Sequence, residues 1–314
     1  MYKINDLIKV NEDEKLHEIA KDIKEFLESN KIKQIVAKTL LDAEVEKNEV
    51  QFQGSYKRHT ASFIGKSKSD IDIIMYISNY STSNDVQYLK DKSLKKYKEH
   101  MNNHIKENLL VGEEYKKDKS FRELDKFVQL KKEIFNELND KYRNYFDISN
   151  NNKCIQISNN KVDIDIVIAG KWYLKTSNAT YKGSNVIINK FPYEIQNLPD
   201  LNFNNIKIKQ EKCEHLYEWI RLFKNINKIK NGKLSSYHVE CIIYNVDNNL
   251  LSNFPTKEQI YIICEYIENK IYYFWDYNEI NETNEIFILN KKITKNDIQE
   301  FISIVRNFVG QEML

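Results

Sequence analysis

The stretch FQGSYKRHTASFIGKSKSDIDIIMYIS, residues 52–78, joins a Gly-Ser pair to two aspartates that lie inside an apolar run. Its last part, DIDIIMYIS, alternates polar with apolar residues and is rich in β-branched side chains, which predicts a β-strand. Side chains two residues apart on a strand point to the same face, so Asp70 and Asp72 are predicted to share one face. The solvent side of a half-exposed antiparallel strand shows the same pattern, so the pair alone is not specific.

A second aspartate pair follows in KCIQISNNKVDIDIVIAG, residues 153–170. Two alternating runs flank SNNK, and asparagine there favours a turn, so the segment predicts a β-hairpin. Asp163 and Asp165 are then predicted to share one face of the second strand.

Carboxylates on two strands, together with a Gly-Ser pair, suit one kind of chemistry. Such carboxylates supply the hard oxygen ligands that magnesium prefers. Two magnesium ions can activate an attacking hydroxyl and stabilise a leaving pyrophosphate. Gly54 lets the backbone approach a phosphate closely, and Ser55 with nearby amide groups can donate to its oxygens. These residues predict a metal site beside a phosphate-binding turn.

Composition limits the class of protein. The chain has 314 residues, 41% of them hydrophobic, which suits one large domain or two lobes. Its 48 Lys and Arg nearly balance 46 Asp and Glu, so no overall charge recruits nucleic acid or an anionic membrane. The sequence shows no signal-peptide core and no apolar run of about 20 residues, so we expect a cytoplasmic protein without membrane spans. Four cysteines lack Cys-x-x-Cys spacing and are predicted to be core thiols: Cys154, Cys213, Cys241 and Cys264.

Helical patterns surround the predicted strands. Residues 13–46 predict one or two amphipathic helices, and the Lys-, Glu- and Leu-rich stretch from about Val86 to Tyr145 predicts long surface helices. The stretch that contains Pro192 and Pro199 is predicted to be rich in loops. The remainder is predicted to be helical, with N-caps at Thr256 and Thr294. A mixed front half and a helical back half indicate two lobes.

The first motif, GSYKRHTASFIGKSKSDIDIIMYIS, resembles the DNA polymerase beta-like nucleotidyltransferases, whose hallmark is Gly-Ser followed by Asp-x-Asp and a later single Asp. The resemblance implies an α+β, bilobal fold: a nucleotidyltransferase core with a mixed sheet and flanking helices, plus a C-terminal helical lobe. It implies that Asp70, Asp72 and the later aspartate are catalytic residues and metal ligands, and that Gly54 and Ser55 bind nucleotide. DIVIA looks like the segment that carries the third ligand, which selects Asp165, while Asp163 stays open.

A second segment, WIRLFKNINKIKNGKLSSYHVECIIYNV, residues 219–246, resembles the helical lobe of 2′-5′-oligoadenylate synthases, animal cyclic GMP-AMP synthase and the bacterial cyclic-oligonucleotide synthases called CD-NTases. By this resemblance Lys224 contacts the donor triphosphate, Ser236 assists it, and Tyr237 stacks on a nucleobase. From the residues alone, Lys224 is a helix-surface lysine. The two matches imply a catalytic domain with N-terminal helices at 1–200 and a helical lobe at 201–314.

The resemblance also implies an activity. It implies an enzyme that joins ribonucleoside triphosphates, ATP among them, into a cyclic di- or trinucleotide second messenger with release of pyrophosphate. The resemblance implies two Mg²⁺ ions as cofactors, with Mn²⁺ as a substitute. It also implies a downstream effector that responds to the product in bacterial anti-phage (CBASS) signalling. The zinc-binding insertion with which the animal enzyme grips DNA is missing, so DNA is not expected as an activator. The alternatives are a linear, template-independent transferase acting on an RNA or protein acceptor, and a nucleotide-binding fold without catalysis.

Overall fold

The computed structural model describes residues 3–9, 14–40, 49–61, 69–77, 86–88, 120–160, 162–175, 180–187, 194–273, 279–280 and 293–312. The chain forms two compact units that alternate along the sequence. Residues 13–57 and 70–200 form the sheet unit, and residues 1–12, 58–69 and 201–314 form the helical unit. The chain therefore leaves the sheet unit shortly after the Gly-Ser pair and returns to it at Asp70. The domain boundaries predicted at 1–200 and 201–314 stay a prediction.

The described part of the sheet unit contains one mixed sheet of eight strands. Five strands form its central path in the order β1-β2-β6-β5-β4, while β3 and β7 also pair with β6, and β8 pairs with β7. β3 runs parallel to β6, whereas β5 and β7 run antiparallel to it. The strands are β1 (Val50–Gln53), β2 (Ser69–Ile77), β3 (Val86–Tyr88), β4 (Asp147–Asn150), β5 (Ile155–Ser158), β6 (Val162–Lys175), β7 (Thr180–Ile187) and β8 (Glu194–Asn197).

Helices of the sheet unit pack on one face of this sheet. They are α2 (Glu14–Leu27), α3 (Asn30–Thr39), the single turn α4 (Gly54–Lys57) and α5 (Ser120–Tyr142), while α1 (Ile4–Leu7) belongs to the helical unit. The buried residues of α2 recur at helical spacing and form one apolar stripe: Leu16, Ala20, Ile23 and Leu27. These residues share a hydrophobic core with α3, α5 and the sheet.

The two central strands, β2 and β6, have faces of different character. Ile71 and Ile73 of β2, and Ile164 and Ile166 of β6, are buried in the core with the helices. The alternate residues face the other way, where Ile74 and Tyr76 of β2 form a small cluster with Ala169 of β6. Because alternation continues along each strand, the aspartates at 72, 163 and 165 lie on this second face. The α+β class with a mixed sheet and flanking helices is therefore confirmed.

The helical unit has its own core. Its helices are α1, α6 (Pro199–Lys212, except for its first two residues), α7 (Leu216–Ile229), α8 (Ser236–Tyr244), α9 (Asn248–Leu251), α10 (Lys257–Tyr273) and α11 (Lys295–Glu312). Large side chains fill the space between the helices, among them Trp219, Phe223, Phe301 and Phe308. The predicted C-terminal helical lobe is thus present.

Both predicted N-caps are confirmed. The hydroxyl of Thr256 accepts from the amide of Gln259 at 3.2 Å. The hydroxyl of Thr294 accepts from the amide of Asp297 at 3.2 Å, and the Asp297 carboxylate accepts from the Thr294 amide at 2.7 Å. This reciprocal arrangement is a capping box with Asp in place of Glu.

Two secondary-structure predictions are wrong where the sheet extends. Val86–Tyr88 forms strand β3 and not a helix, and the stretch expected to be loop contains β7 and β8. Strands β3 and β7 pair with the C-terminal part of the long strand β6, and β8 pairs with β7. All three strands are therefore held by hydrogen bonds to segments that are distant or separate in the sequence. Such tertiary pairing overrides weak local propensity. The predicted helices over residues 89–119 lie outside the described residues, whereas the helix over residues 120–142 is confirmed as α5.

The cysteines are free thiols. Cys213, Cys241 and Cys264 are buried as predicted, whereas Cys154 is only partly buried. None of the helices that the structure describes is long and apolar enough to cross a bilayer.

Candidate functional site

The Gly-Ser pair lies directly after strand β1 and against an aspartate of strand β2. Gln53 is opposite Asp72 in the antiparallel register of these strands, so the following residue, Gly54, must pass close to the Asp72 side chain. Gly54 has φ +63°, and a Cβ atom placed on it would lie 1.7 Å from Asp72 Oδ2. Glycine is therefore required both by its left-handed backbone and by its contact with the carboxylate.

Ser55 follows in the single turn α4, whose side chains are anchored in the sheet unit. Lys57 pairs with Asp200 at 3.2 Å. Tyr56 is hydrogen-bonded to His17, and the two rings are stacked with centroids 6.1 Å apart. These contacts hold the turn that carries the Ser55 hydroxyl.

The predicted carboxylates lie on neighbouring strands. Asp72 of β2 and both Asp163 and Asp165 of β6 are partly exposed on the face away from the helices. In the hairpin of β5 and β6, Asp165 is opposite Gln156 and Asp163 is opposite Ser158, as the hairpin prediction required. Asp70 lies in β2, but its side chain is outside what the structure describes.

The thiol of Cys154 interacts with two of these carboxylates, those of Asp165 and Asp72. Burial raises the pKa of the Cys154 thiol to about 12, and the charge of Asp165, a hydrogen bond with Asp165 and the charge of Asp72 add to the rise. Cys154 precedes strand β5, so Asp72 and Asp165 act on one thiol from two different strands. The two carboxylates therefore share one electrostatic neighbourhood.

The chemistry of this donor set fits a hard divalent cation. Asp72 and Asp165 offer carboxylate oxygens, the ligand type that Mg²⁺ and Mn²⁺ prefer. Among the described side chains, which do not include that of Asp70, no group of three or more His, Cys, Asp or Glu is arranged to hold a metal ion. A complete ligand set thus needs the Asp70 carboxylate or groups from a bound ligand.

The three residues predicted from the helical lobe have different surroundings. Lys224 is buried, and its Nζ donates to Glu240 Oε1 at 2.8 Å and to the Thr60 carbonyl at 2.9 Å. It is therefore not the surface lysine that its residue type alone suggested. Ser236 is the exposed first residue of α8, after the N-cap Ser235.

Tyr237 is partly buried against the core of the helical unit. Burial raises its pKa well above the usual range, and its hydroxyl is hydrogen-bonded to the side chain of Cys241 one turn further along α8. The phosphate and base contacts expected for Lys224, Ser236 and Tyr237 stay predictions.

A buried ion cluster in the helical unit was not predicted. Glu240 Oε2 accepts from Arg58 Nε at 3.1 Å and from Arg58 Nη2 at 2.6 Å, and Glu240 Oε1 accepts from the Thr60 hydroxyl at 2.7 Å. Lys224 completes the cluster, and its side chain is 3% exposed, compared with 1% for Glu240 and 10% for Arg58. The only signal in the sequence is the charged residue that ends SSYHVE, which spacing alone does not connect with Arg58.

The charge state of Glu240 follows from its partners. Burial by itself would raise the pKa of this carboxyl, but Arg58 and Lys224, with hydrogen bonds from Lys224 and Thr60, lower it to about 2. Glu240 is therefore an anion under all ordinary conditions.

Comparisons with known proteins agree with this architecture. Residues 204–310 match the family described as cGAS/DncV-like nucleotidyltransferase C-terminal helical domain. The cyclic dipurine nucleotide synthase of Elizabethkingia meningoseptica is 26% identical over 187 residues, which are 54% of this chain and 63% of that protein. The chain thus matches less than two thirds of the length of this relative.

Two solved structures share the fold over most of the chain. The Elizabethkingia meningoseptica CdnE cyclic dinucleotide synthase with GTP and Apcpp has a TM-score of 0.55 at 20% identity, covering 90% of this chain and 94% of that one. The STING-associated CdnE c-di-GMP synthase from Capnocytophaga granulosa has a TM-score of 0.61 at 18% identity, covering 98% and 84%.

Replacing Gly54 by alanine tests the contact with Asp72. We expect Gly54→Ala to lower the free energy of unfolding by about 2 kcal/mol or more, since a left-handed backbone costs an L-residue about 1–2 kcal/mol and Asp72 must also move. Urea unfolding measures the change. Gly310→Ala is the matched control, because the same substitution at this exposed helical position should change stability by less than about 1 kcal/mol. Equal effects at both positions would contradict the close packing of Gly54 on Asp72.

The pKa of Glu240 predicts a pH-dependent stability. Its pKa of about 2 in the folded chain lies below the ordinary 4.5, so the unfolded chain binds more protons between these values. The stabilisation is therefore complete above pH 4.5 and is lost as the pH falls toward 2. We expect Glu240→Gln to lower the free energy of unfolding by on the order of 3 kcal/mol at neutral pH. This difference from the wild type should shrink as the pH falls from 4.5 toward 2.

Urea unfolding of both proteins at a series of pH values measures this difference. Glu300→Gln is the control, because Glu300 forms an exposed ion pair with Lys233 and such pairs contribute about 0–1 kcal/mol. If Glu240→Gln lowered the free energy of unfolding by the same amount at every pH, the assignment of Glu240 as an ionised carboxylate would be wrong.

Proposed function

We propose that the chain is a member of the CD-NTase branch of the DNA polymerase beta-like nucleotidyltransferases, and that it joins ribonucleoside triphosphates into a cyclic di- or trinucleotide and releases pyrophosphate. The family match of residues 204–310 and the 26% identical cyclic dipurine nucleotide synthase support this proposal. The observation that carries this proposal is the packing of Gly54 against Asp72, on the strand next to the one with Asp165. The turn that we propose to bind phosphate thus lies beside carboxylates of a kind that suits a divalent cation. The relative named a cyclic dipurine nucleotide synthase supports the choice of product class.

The carboxylates are proposed to hold the metal ions. Asp70, Asp72 and Asp165 would bind two Mg²⁺ or Mn²⁺ ions, and the shared effect of Asp72 and Asp165 on Cys154 favours Asp165 over Asp163 as the third ligand. When bound, such ions lower the pKa of an attacking ribose hydroxyl and stabilise the leaving pyrophosphate. Asp165 is also suited to accept the hydroxyl proton, since its carboxylate is partly exposed.

The turn after β1 is proposed to hold the donor phosphates. The backbone at Gly54 has no side chain to keep a phosphate at a distance, and the Ser55 hydroxyl can donate to a phosphate oxygen. In the helical unit, the exposed Ser236 hydroxyl has the same capacity, and Tyr237 has an aromatic face for a base. For Lys224 the expected phosphate contact requires its ammonium to exchange Glu240 for a phosphate oxygen.

The biological setting is proposed from the relatives. One of the matching structures is described as STING-associated, which supports a signalling product read by a downstream effector. We propose ATP as one substrate, a cytoplasmic location, and a role in anti-phage (CBASS) signalling. A catalytic domain at 1–200 and a helical lobe at 201–314 stay part of the proposal, and the family match at 204–310 lies inside the second.

Product analysis tests the activity. The pure chain is incubated with all four ribonucleoside triphosphates, one labelled at its α-phosphate at a time, with Mg²⁺ or Mn²⁺; products are treated with phosphatase and identified by mass. We expect a phosphatase-resistant product of cyclic mass. The double variant Asp70→Asn with Asp72→Asn should form none while its melting temperature is retained or raised, because clustered active-site carboxylates often destabilise a fold. A linear ladder, or label that appears only with an RNA or protein acceptor, would instead support the linear transferase.

Single substitutions distinguish the two aspartates of β6. We expect Asp165→Asn to reduce turnover by at least about a thousandfold, the scale expected when a charged group that acts in the transition state is removed. Asp163→Asn, two residues away on the same face, should stay within about tenfold of the wild type. Initial rates at saturating Mg²⁺ measure both, and the reverse order would assign the third ligand to Asp163.

A further inference from the structure

We infer that Cys154 is a positioning residue of the candidate metal site: its thiol donates a hydrogen bond to the Asp165 carboxylate and orients that carboxylate from a loop that helix α5 anchors. This inference rests on the proposed role of Asp165 as a metal ligand. All the residues that carry it belong to the sheet unit.

The register of strands β5 and β6 places Cys154 beside Asp165. Gln156 is directly opposite Asp165, and Ile155 is opposite Ile166. Because side chains two residues apart share a face, Cys154 and Gln156 both lie on the face that carries Asp165. The burial agrees, since Ile155 lies in the core with the helices, whereas Cys154 is partly exposed. Cys154 is thus a diagonal cross-strand neighbour of Asp165, and side chains in such positions can interact.

The thiol and the carboxylate are in contact at this position. The Cys154 thiol donates a hydrogen bond to the Asp165 carboxylate, and the charge of Asp72 on strand β2 also acts on the thiol. Burial is the main cause of the raised pKa of Cys154, so the thiol keeps the proton that it donates. Carboxylates that bind metals are commonly held by hydrogen bonds from neighbouring groups, and losing such a partner typically weakens metal binding or activity by about 10–100-fold.

The loop that carries Cys154 is itself held in place. The Asn151 amide donates to the Cys154 carbonyl at 2.9 Å, which closes the loop between β4 and β5. From helix α5, Lys131 Nζ donates to the Asn151 carbonyl, and the charge of Lys131 also acts on the Cys154 thiol. Lys131 is buried, and a buried ammonium is costly to leave without its acceptors, so this contact resists breaking. Cys154 is therefore tied to the helix through its own loop.

Packing alone explains Cys154 less well than it explains the cysteines of the helical unit. Those three thiols lie in a hydrophobic core, where a free cysteine behaves as a small apolar side chain. Cys154 is only partly buried, and the groups that act on its thiol are the carboxylates of Asp165 and Asp72 and the ammonium of Lys131. A side chain in such polar surroundings is better suited to orient a carboxylate than to fill space.

The test compares two substitutions at Cys154. Cys154→Ala removes the donor, whereas Cys154→Ser keeps a donor of similar size. Cys264→Ala is the control, because it deletes a thiol from the core of the other unit. A second pair acts on the anchor: Lys131→Met removes the buried ammonium, and Lys132→Met makes the same change at its exposed neighbour. For each protein we would measure the Kd of Mn²⁺ by electron paramagnetic resonance, with and without α,β-methylene ATP, the Mg²⁺ dependence of the initial rate, and the melting temperature.

We expect Cys154→Ala to raise the Kd of Mn²⁺, and the Mg²⁺ concentration that gives half the maximal rate, by about tenfold. This is the lower end of the range for a lost partner of a metal ligand, because a thiol is a weak donor. Cys154→Ser should stay within about twofold of the wild type, since its hydroxyl also donates. Lys131→Met should raise the Kd in the same direction, whereas Lys132→Met should not. Cys264→Ala should melt at a lower temperature, because it leaves a small cavity, and should leave the Kd unchanged.

A double-mutant cycle shows whether the thiol acts through Asp165. In the Asp165→Asn background, Cys154→Ala should change the Kd of Mn²⁺ by less than about twofold, because two residues that act through one contact are not additive. The same loss in both backgrounds would contradict an action through Asp165.

The remaining outcomes separate the failure of this inference from the failure of the proposed function. If the wild type forms product but Cys154→Ala changes only the melting temperature, the thiol is structural and the inference is wrong. Equal losses of Mn²⁺ affinity in Cys154→Ala and Cys154→Ser would also overturn it. If the wild type binds Mn²⁺ but forms no product, the proposed activity fails, and the Kd values still decide whether Cys154 orients Asp165. A wild type that binds no Mn²⁺, with or without the nucleotide analogue, overturns the metal assignment and this inference together.

Discussion

The strict alternation of side chains along strands β2 and β6 is the constraint from which the candidate site follows. Strand β2 buries Ile71 and Ile73 against the helices, and strand β6 buries Ile164 and Ile166. A slip of one residue in the register of either strand would expose these side chains to water. The same slip would bury the aspartates, where an isolated carboxylate is very costly. The hydrophobic core therefore fixes which face carries the carboxylates, and the adjacency of β2 and β6 brings their acidic positions to one part of that face.

The Gly-Ser turn depends on this sheet more than on its own sequence. Strand β1 is antiparallel to β2 with Gln53 opposite Asp72, so the chain that leaves β1 has to pass the Asp72 carboxylate. Only a residue without Cβ fits there, and the positive φ of Gly54 lets the chain turn at once into α4. The turn at Gly54 and the Asp72 carboxylate are thus one structural feature. Gly54 and Asp72 are separated in the sequence but are in direct contact in the structure.

The central elements were predictable because each has a strong local signal. Strand β2, the hairpin with Asp165, helix α5 and the caps at Thr256 and Thr294 all follow from periodicity or from turn and cap chemistry. Strands β3, β7 and β8 were missed because pairing with β6 and with each other creates them. The Glu240 cluster was missed for a similar reason, since its bond to Arg58 joins residues 182 positions apart. Periodicity carries no information about such a pairing.

The surroundings of Lys224 differ from those that its residue type predicts. Its residue type predicts an exposed side chain, and the family resemblance predicts a phosphate ligand, but in the structure its ammonium is bonded to Glu240 and to the Thr60 carbonyl. An ammonium buried this deeply has to be paired, because an uncompensated charge in the core is strongly destabilising. A lysine that left Glu240 for a phosphate would leave the Glu240 carboxylate with Arg58 and the Thr60 hydroxyl as its remaining donors, and would release the Thr60 carbonyl. Any contact of Lys224 with a triphosphate would therefore require its ammonium to give up its hydrogen bonds to Glu240 and to the Thr60 carbonyl.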